Sequence, residues 1–268
     1  MTHIEALELG ELPEHLIVLG GGYVGLEIAQ AFRCFGSRVT VIERNIALIH
    51  REDSDVSKAM QQLFRDEGIE VLTGMTVEQV DGQSGTSVRM RTTRGNIEGT
   101  HVLVAGGRTP NTDAIGLEKT GVEVDARGHV KVNERLETTA IGIWAAGDCA
   151  GSPYFTHIGE DDFRIVLANL FGGNRTTTGR QVPFCLFTDP ELARIGLNEQ
   201  EAAEHGIRYR LGIAGDERLN FAEMRIGLMI AKIVELLPGG HICWVIRFRK
   251  DFVDHAQQQT VVDSHRAD

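Results

Sequence analysis

A glycine-rich turn near the start of the chain constrains its fold more than any other feature. The segment HLIVLGGGYVGLEIAQAF begins as an apolar run, passes through three consecutive glycines and continues with apolar residues at helical spacing. This order predicts a strand, a tight turn and a helix. Gly20, Gly22 and Gly25 match the spacing G-x-G-x-x-G, which lets a backbone turn sharply, approach a pyrophosphate closely and pack a helix against a strand.

An acidic residue follows at the distance that a dinucleotide site requires. The segment SRVTVIE predicts a second strand that ends at Glu43. A carboxylate about 20 residues after the first glycine can accept a hydrogen bond from a ribose 2′-hydroxyl. The alternative is a packing turn followed by an ordinary surface glutamate. Strand, turn, helix, strand and acid in this order favour the dinucleotide site.

The next segments extend the same architecture. REDSDVSKAMQQLFRDEG predicts a second crossover helix and IEVLTG a third strand, so the first part of the chain has the β-α-β-α-β order of a doubly wound nucleotide-binding domain. Alternating segments around residues 77–80, 88–91 and 97–100 predict a small antiparallel meander. The apolar run HVLVAGG then returns the chain to the main sheet.

A second candidate site follows the segment AIGIWAAGD. Its apolar residues predict a strand that stops at Gly147 and Asp148. The Asp148 carboxylate can accept hydrogen bonds from the hydroxyls of a ligand, but an aspartate that caps the next turn explains the same residues and is the simpler interpretation when they are considered alone. Further on, EDDFRIVLANLFGG predicts a helix, and VPFCLFTDPELARIGLNEQEAAEHG predicts a strand, a turn and a capped helix.

Composition narrows the class of partner. The net charge of −11 argues against nucleic acid or an anionic membrane as a binding partner, because no dense cluster of lysine and arginine offsets the repulsion between the chain and these anionic partners. The acidic N-terminus is unlike a signal peptide, and the apolar run RIGLMIAKIVELL is interrupted by Lys232 and too short to cross a bilayer, so we expect a cytoplasmic protein. Cysteines and histidines show no metal-ligand spacing, and we expect no metal.

The order of these motifs resembles the pyridine nucleotide-disulfide oxidoreductases, in particular the flavoproteins similar to mercuric reductase and dihydrolipoamide dehydrogenase. The resemblance spans about residues 12–211 and rests on five segments, which are LPEHLIVLGGGYVGLEIAQAF, VTVIER, HVLVAGGRTPNT, GIWAAGDCAGSPYFTHI and VPFCLFTDPELARIG. It implies an FAD-dependent enzyme in which a nicotinamide cofactor, NAD(H) or NADP(H), reduces the flavin. Such proteins are typically homodimers.

The resemblance also implies roles for individual residues. The Tyr23 ring would cover the flavin until a nicotinamide displaces it, and Glu27 would orient the carboxamide; a packed aromatic and a solvated helix face are the alternatives without the family. Glu43 favours NAD(H), while Arg44 keeps NADP(H) open. Asp148 and the FTHI segment with His157 would contact FAD. The residues assigned to the nicotinamide dinucleotide are Gly20, Gly21, Gly22, Tyr23, Val24, Gly25, Glu27, Glu43, Arg44 and Gly107.

We therefore predict an α/β chain with a Rossmann-like doubly wound domain at residues 12–125, which includes the meander. Residues 126–179 would be part of an FAD-binding domain, and residues 180–268 an incomplete α+β dimerisation domain whose sequence diverges after about residue 212. The family's first FAD-binding segment, with its redox cysteine pair, is not recognisable here, so we expect little bound FAD. We also expect a loosely packed tail with exposed apolar side chains, such as Leu236, Leu237, Trp244 and Phe248.

Three functions remain open at this point. The first is a portion of a flavin-dependent NAD(P)H oxidoreductase that catalyses hydride transfer from nicotinamide to flavin. The second is a stand-alone module that binds NAD(H) without catalysis. The third is an inactive truncated product, or a split subunit whose other half is encoded separately.

Overall fold

The protein is described by a computed structural model covering residues 1–214, 231–236 and 242–246. From residue 210 onward the description is limited to the backbone, so the predicted exposure of apolar side chains in the tail lies outside the described residues. In chain order the elements are α1 (His3–Leu7), β1 (His15–Leu19), α2 (Tyr23–Phe35), β2 (Arg38–Glu43), α3 (Ser54–Asp66), β3 (Glu70–Thr73), β4 (Val77–Gln83), β5 (Ser87–Thr92), β6 (Gly95–Gly99), β7 (His101–Val104), α4 (Thr156–Leu170), β8 (Pro183–Leu186), β9 (Leu192–Ile195), α5 (Glu199–Glu204), β10 (Tyr209–Ala214), β11 (Ala231–Leu236) and β12 (Ile242–Ile246).

The main sheet is parallel and confirms the predicted doubly wound order. Its strands lie in the order β3-β2-β1-β7, and α2 and α3 form the crossovers. Leu16, Ile17 and Val18 of β1 have no exposed surface, because a central parallel strand is covered on both faces. Gly36 ends α2 in the left-handed conformation, and its N–H bonds to carbonyls of the last turn. The first glycine turn is therefore held at the carboxyl end of a buried central strand.

The predicted meander is also present. Strands β4, β5 and β6 form an antiparallel sheet in that order. Val88, Met90 and Thr92 of β5 are buried while their neighbours are exposed, which is the alternation of a strand with one face on a core. Met90 packs in a cluster that includes Ile17 and Ile42 of the main sheet.

The last described sheet contains a strand that the sequence did not predict. It is antiparallel with the order β10-β11-β12-β9-β8, and β8 and β9 form a hairpin. We expected a strand, a turn and a helix here and missed β9, because the segment LARI is short and follows a loop that contains Pro190. The predicted helix is α5, and the side chain of Asn198 caps it by accepting the Glu201 N–H at 2.8 Å.

The predicted strand over AIGIWAAGD is wrong. Residues 141–146 make one isolated bridge, between Glu137 and Trp144, and a 3-10 turn follows at Gly147–Ala150. A strand exists only where a neighbour satisfies its backbone groups, and among the described residues this segment has none beyond that bridge. Ile141 is fully exposed as a result. The segment FTHI, with Phe155 as N-cap, begins helix α4.

The chain divides into two compact units. Met1–Gly106 and the described residues from Pro183 onward form the first unit, and Gly107–Val182 form the second. Residues 107–125, which we assigned by sequence to the dinucleotide domain, thus group with the second unit. Among the described residues, no helix has the length and apolar character needed to span a membrane.

Candidate functional site

The loop at residues 20–25, called the glycine loop below, has a backbone that tolerates no side chain at two positions. Gly20 has a φ of 115°, and a Cβ there would lie 2.4 Å from the carbonyl oxygen of Ala105. A Cβ on Gly25 would lie 2.1 Å from the carbonyl oxygen of Gly20. Helix α2 therefore packs directly on the end of β1, and only glycine permits that approach.

Gly22 differs from its neighbours because the space beside it is open. A Cβ at Gly22 would meet no atom within 4 Å. Gly22 is the N-cap of α2, and no side chain caps that helix. Val24 in the first turn is 45% exposed. The first N–H groups of a helix lack intrahelical partners and carry the positive end of its dipole, so this open side suits an anion.

Glu43 holds the glycine loop from the end of β2. Its Oε2 accepts the N–H of Gly21 at 2.7 Å. Its Oε1 accepts the backbone N–H of Asn45 at 2.7 Å and the Asn45 Nδ2 at 2.6 Å. Because a carboxylate has about four acceptor positions, these three bonds leave one for a further donor. Glu43 is buried, whereas Arg44 beside it is exposed.

Asn45 is part of this arrangement and was missed by the sequence reasoning. Its amide orients the carboxylate that we assigned to a ribose. Asparagine bonds readily to nearby main chain and side chains, and its position two residues beyond the acidic strand end was a usable signal.

The Tyr23 ring lies at the first residue of α2, directly after Gly22. Its hydroxyl donates to Glu52 Oε1 at 3.0 Å, and the ring packs against the core of the first unit. Burial, together with the neighbouring Glu52 carboxylate, raises the pKa of the Tyr23 phenol well above its usual range.

Glu27, one turn further along α2, contacts the loop after β8. Its Oε1 accepts the backbone N–H of Phe187 at 2.9 Å. Gln30 binds the same loop through both backbone groups of Asp189, at 2.7 Å and 2.8 Å. Sequence reasoning gave Glu27 no protein partner, since bonds between residues about 160 positions apart leave no local pattern.

In the second unit, Gly107 and Asp148 lie in more exposed surroundings. Gly107 has a φ of 129° and no neighbour where a Cβ would lie. Asp148 Oδ2 pairs with the Arg108 guanidinium at 2.7 Å, and the two side chains are 46% and 51% exposed. The same guanidinium lies 4.8 Å from the centre of the Tyr154 ring. His157 is exposed in the first turn of α4, with its ring stacked on Phe155 at 5.2 Å.

Asp162 of α4 anchors the turn that carries Asp148. It is fully buried, and its Oδ2 accepts the Gly147 N–H at 2.8 Å and the Ser152 hydroxyl at 2.6 Å. Its Oδ1 accepts a charged hydrogen bond from Arg180. The sequence reasoning treated Asp162 as an ordinary helix residue, because nothing local distinguishes it from Asp161.

Among the residues that the structure describes, Asp53, Asp55 and Glu199 have carboxylate oxygens within 4.8 Å of one another. Asp53 accepts the N–H groups of Glu199 and Gln200, each at 3.2 Å, and so supports the N-terminus of α5. Glu199 accepts the hydroxyl of Tyr209 at 3.0 Å. This group therefore has a structural role in joining α5 to the start of α3, and the absence of a metal stays a prediction.

Comparison with known proteins agrees with this architecture. The family model described as pyridine nucleotide-disulphide oxidoreductase matches residues 1–162. The chain is 40% identical over 202 residues to a probable pyridine nucleotide-disulfide oxidoreductase, RclA, of Escherichia coli, covering 75% of this chain and 46% of that protein. It is 40% identical over 215 residues to a mercuric reductase of Streptomyces lividans, covering 78% of this chain and 45% of that one.

Solved structures give the same result. The HOCl-induced flavoprotein disulfide reductase RclA from Escherichia coli matches 92% of this chain and 58% of its own, with a TM-score of 0.79 and 33% identity. LpdA from Mycobacterium tuberculosis matches 92% of this chain and 55% of its own, with a TM-score of 0.81 and 27% identity. The chain thus spans about half the length of the relatives that it matches. It belongs to the pyridine nucleotide-disulphide oxidoreductase family.

Proposed function

We propose that the first unit binds a nicotinamide adenine dinucleotide at the glycine loop. One observation carries this proposal. Gly20 and Gly25 are held where no side chain fits, while Gly22 leaves the N-terminus of α2 open to an anion. Backbone N–H groups from Gly22 onward, with Val24 and the helix dipole, would hold the pyrophosphate. The fourth acceptor position of Glu43 would bind a ribose 2′-hydroxyl.

Glu43 favours NAD(H) over NADP(H) in this proposal. A 2′-phosphate would place a like charge beside a buried carboxylate, which costs on the order of a few kcal/mol. Arg44 is exposed beside it and offers the opposite charge, which would offset part of that cost. The preference therefore depends on the Glu43 carboxylate and on the loop that it shapes.

At the level of the whole reaction, we propose a role in flavin-dependent NAD(P)H oxidation. FAD, when bound, supplies an acceptor for the hydride of the nicotinamide. Asp148 offers a carboxylate to the hydroxyls of FAD, and the uncapped N-terminus of α4, which carries His157, offers backbone donors. Tyr23 would cover the flavin and Glu27 would orient the carboxamide, and Gly107 would approach the nicotinamide cofactor. Each of these is a positioning role.

Binding of a dinucleotide without flavin chemistry is the second candidate, and one observation favours it. The side chains and carbonyls that shape the glycine loop, from Glu43, Leu48 and Ala105, all belong to the first unit. The glycine loop is therefore shaped without Asp148 and His157, the residues proposed for FAD in the second unit. The absorption spectrum of the purified chain tests separately whether flavin is retained.

Calorimetric titration with NADH and NADPH tests the proposal. Wild-type protein should bind NADH about tenfold more tightly than NADPH, the ratio that corresponds to about 1.4 kcal/mol. Glu43→Ala should lose NADH affinity and the preference together. Glu98→Ala removes an exposed glutamate that pairs with Arg89 on the meander, and it should behave as wild type.

Two results contradict the proposal in different ways. Absence of binding for both cofactors would remove the glycine loop from the role assigned to it. Equal affinity for both in the wild type, or an unchanged ratio in Glu43→Ala, would leave the loop in place and remove Glu43 as the discriminating residue.

A further inference from the structure

A buried network lies behind Tyr23 and joins it to the loop-and-strand region that follows β8. The Tyr23 hydroxyl donates to Glu52 Oε1 at 3.0 Å. Glu52 Oε2 lies 3.0 Å from Nε of Arg194, on β9. The side chains of Glu52 and Arg194 are 5% and 3% exposed, so both charges are removed from water. Arg194 Nε is close to Glu52 but does not meet hydrogen-bond geometry, whereas its Nη2 donates to Glu52 Oε1 at 3.5 Å. Removing either partner of a buried ion pair leaves the other charge buried and unpaired, which is strongly destabilising.

Arg194 is held from several sides at once. Its Nη1 lies 2.8 Å from Glu201 Oε2 and donates to the Gly196 carbonyl at 2.5 Å. Its guanidinium carbon is 4.3 Å from the centre of the Phe184 ring, within the range of a cation–π contact. Two carboxylates therefore face one guanidinium, and Arg194 has little freedom to move when Tyr23 does.

This arrangement bears on the mobility of the Tyr23 ring. Tyr23 follows Gly22 directly, so its backbone lies next to the open side of the glycine loop, while its ring packs against the core of the first unit. The hydroxyl bonds to a buried carboxylate that faces Arg194, and hydrogen bonds to charged groups contribute more to stability than neutral ones. Moving the ring away requires breaking that bond or moving Glu52, and Arg194 opposes the second.

We propose that Glu52, fixed by Arg194, is a positioning residue that holds the Tyr23 hydroxyl and sets the free-energy cost of displacing this ring when a nicotinamide enters. The inference rests on the proposed function, since it assumes that a dinucleotide binds at the glycine loop. Glu52 would then affect the affinity only for ligands that carry the nicotinamide half. The adenosine and pyrophosphate half binds without moving Tyr23.

Comparison of NADH with ADP-ribose isolates this effect, because ADP-ribose has the pyrophosphate and both riboses but no nicotinamide. Calorimetric titrations should show that Tyr23→Phe, which keeps the ring and loses the hydroxyl, raises NADH affinity about tenfold. Its affinity for ADP-ribose should be unchanged. Glu52→Gln should raise the NADH to ADP-ribose affinity ratio in the same direction, and the double variant should add nothing to the larger single effect.

Tyr209→Phe is the matched control. Tyr209 also donates its hydroxyl to a carboxylate, Glu199 Oε2, at 3.0 Å in the same unit. This variant should leave the affinity ratio at the wild-type value, because a general loosening of the fold changes both ligands alike. If Glu52→Gln does not fold, Tyr23→Phe with its control still decides the question.

The titrations distinguish failure of the proposed function from failure of the role assigned to Glu52. Failure of both ligands to bind the wild type would overturn the proposed function and the inference with it. If both ligands bind and Tyr23→Phe leaves their ratio unchanged, the proposed function stands and the role of Glu52 is refuted. A ratio that changes equally in Tyr209→Phe would also refute it.

Discussion

The glycine loop and the turn that carries Asp148 hold their backbones in different ways. In the glycine loop, a Cβ added to Gly25 or Gly20 would lie only 2.1 Å or 2.4 Å from a backbone carbonyl oxygen. Glu43, which binds this loop, is 7% exposed. The Asp148 carboxylate is 46% exposed and pairs with Arg108, which is 51% exposed. The first site takes its shape from many close backbone contacts, whereas the second depends on one buried carboxylate, Asp162. Loss of a single group should therefore damage them unequally.

The largest effect is expected where the second unit depends on that one carboxylate. Asp162→Ala leaves the Gly147 N–H, the Ser152 hydroxyl and the Arg180 guanidinium without a buried acceptor. Removal of one partner of a buried ion pair costs about 3 to 5 kcal/mol. Chemical denaturation should show this loss in the free energy of unfolding.

Asp161→Ala is its control at the adjacent position. Asp161 is 32% exposed and pairs with Arg175 and Arg180 at 3.2 Å and 3.4 Å. Its removal should cost at most about 1 kcal/mol. Similar losses in the two variants would mean that burial of Asp162 does not anchor the turn.

A smaller but still large effect is expected from a methyl group in the glycine loop. Gly25→Ala places a Cβ 2.1 Å from the Gly20 carbonyl oxygen, so α2 must move away from β1. Overpacking of this kind costs about 1 to 3 kcal/mol, and the displaced helix should also bind NADH less tightly. Thermal unfolding and titration with NADH measure the two consequences.

Gly159→Ala provides the comparison in the second unit. Gly159 also lies in the first turns of a helix, α4, but an added Cβ there would meet nothing within 4 Å. Alanine should be neutral or stabilise the helix by up to about 1 kcal/mol. Equal destabilisation by the two substitutions would show that the close approach at Gly25 does not determine the shape of the loop.

The contrast between the two sites also explains what the sequence could predict. The order from β1 to β3, the meander and the return strand β7 follow from local patterns of apolar residues and glycines, and the structure confirms them. The missing strand at residues 141–146 and the buried Asp162 depend on partners elsewhere in the chain. The pair of Glu52 and Arg194 joins residues 142 positions apart, and no local pattern marks it.

The third prediction concerns the amide beside Glu43. Asn45→Ala removes a 2.6 Å hydrogen bond to a buried carboxylate, which should cost about 1.5 kcal/mol and weaken NADH binding because Glu43 shapes the loop. Gln79→Ala is the exposed counterpart, since Gln79 donates to the carboxylate of Asp81 at 2.8 Å on the meander. It should change the free energy of unfolding by less than about 0.5 kcal/mol. If titration and denaturation show no difference between the two variants, Asn45 does not orient Glu43.

The smallest effect concerns pH and the strand that leads into the glycine loop. His15 is 6% exposed at the start of β1, and its Nε2 lies 2.8 Å from the Thr40 hydroxyl. Burial, and then the positive charge of Arg38, lowers the pKa of His15 below its ordinary value of 6.5. Below about pH 6.5 the unfolded chain therefore binds a proton that the folded chain does not.

The sign of the pH dependence follows from that difference. The stability that depends on neutral His15 is present above about pH 6.5 and is lost as the pH falls through the lowered pKa of the folded state. Over that range the free energy of unfolding should fall by up to about 1.4 kcal/mol per pH unit. His15→Gln should lack this slope, so the difference in unfolding free energy between wild type and variant should change with pH when urea unfolding is measured between pH 7.5 and about pH 5. His205→Gln, at an exposed histidine after α5, should keep the wild-type slope. A wild-type slope retained in His15→Gln would assign the acid sensitivity to another group and leave the burial of His15 without a role in it.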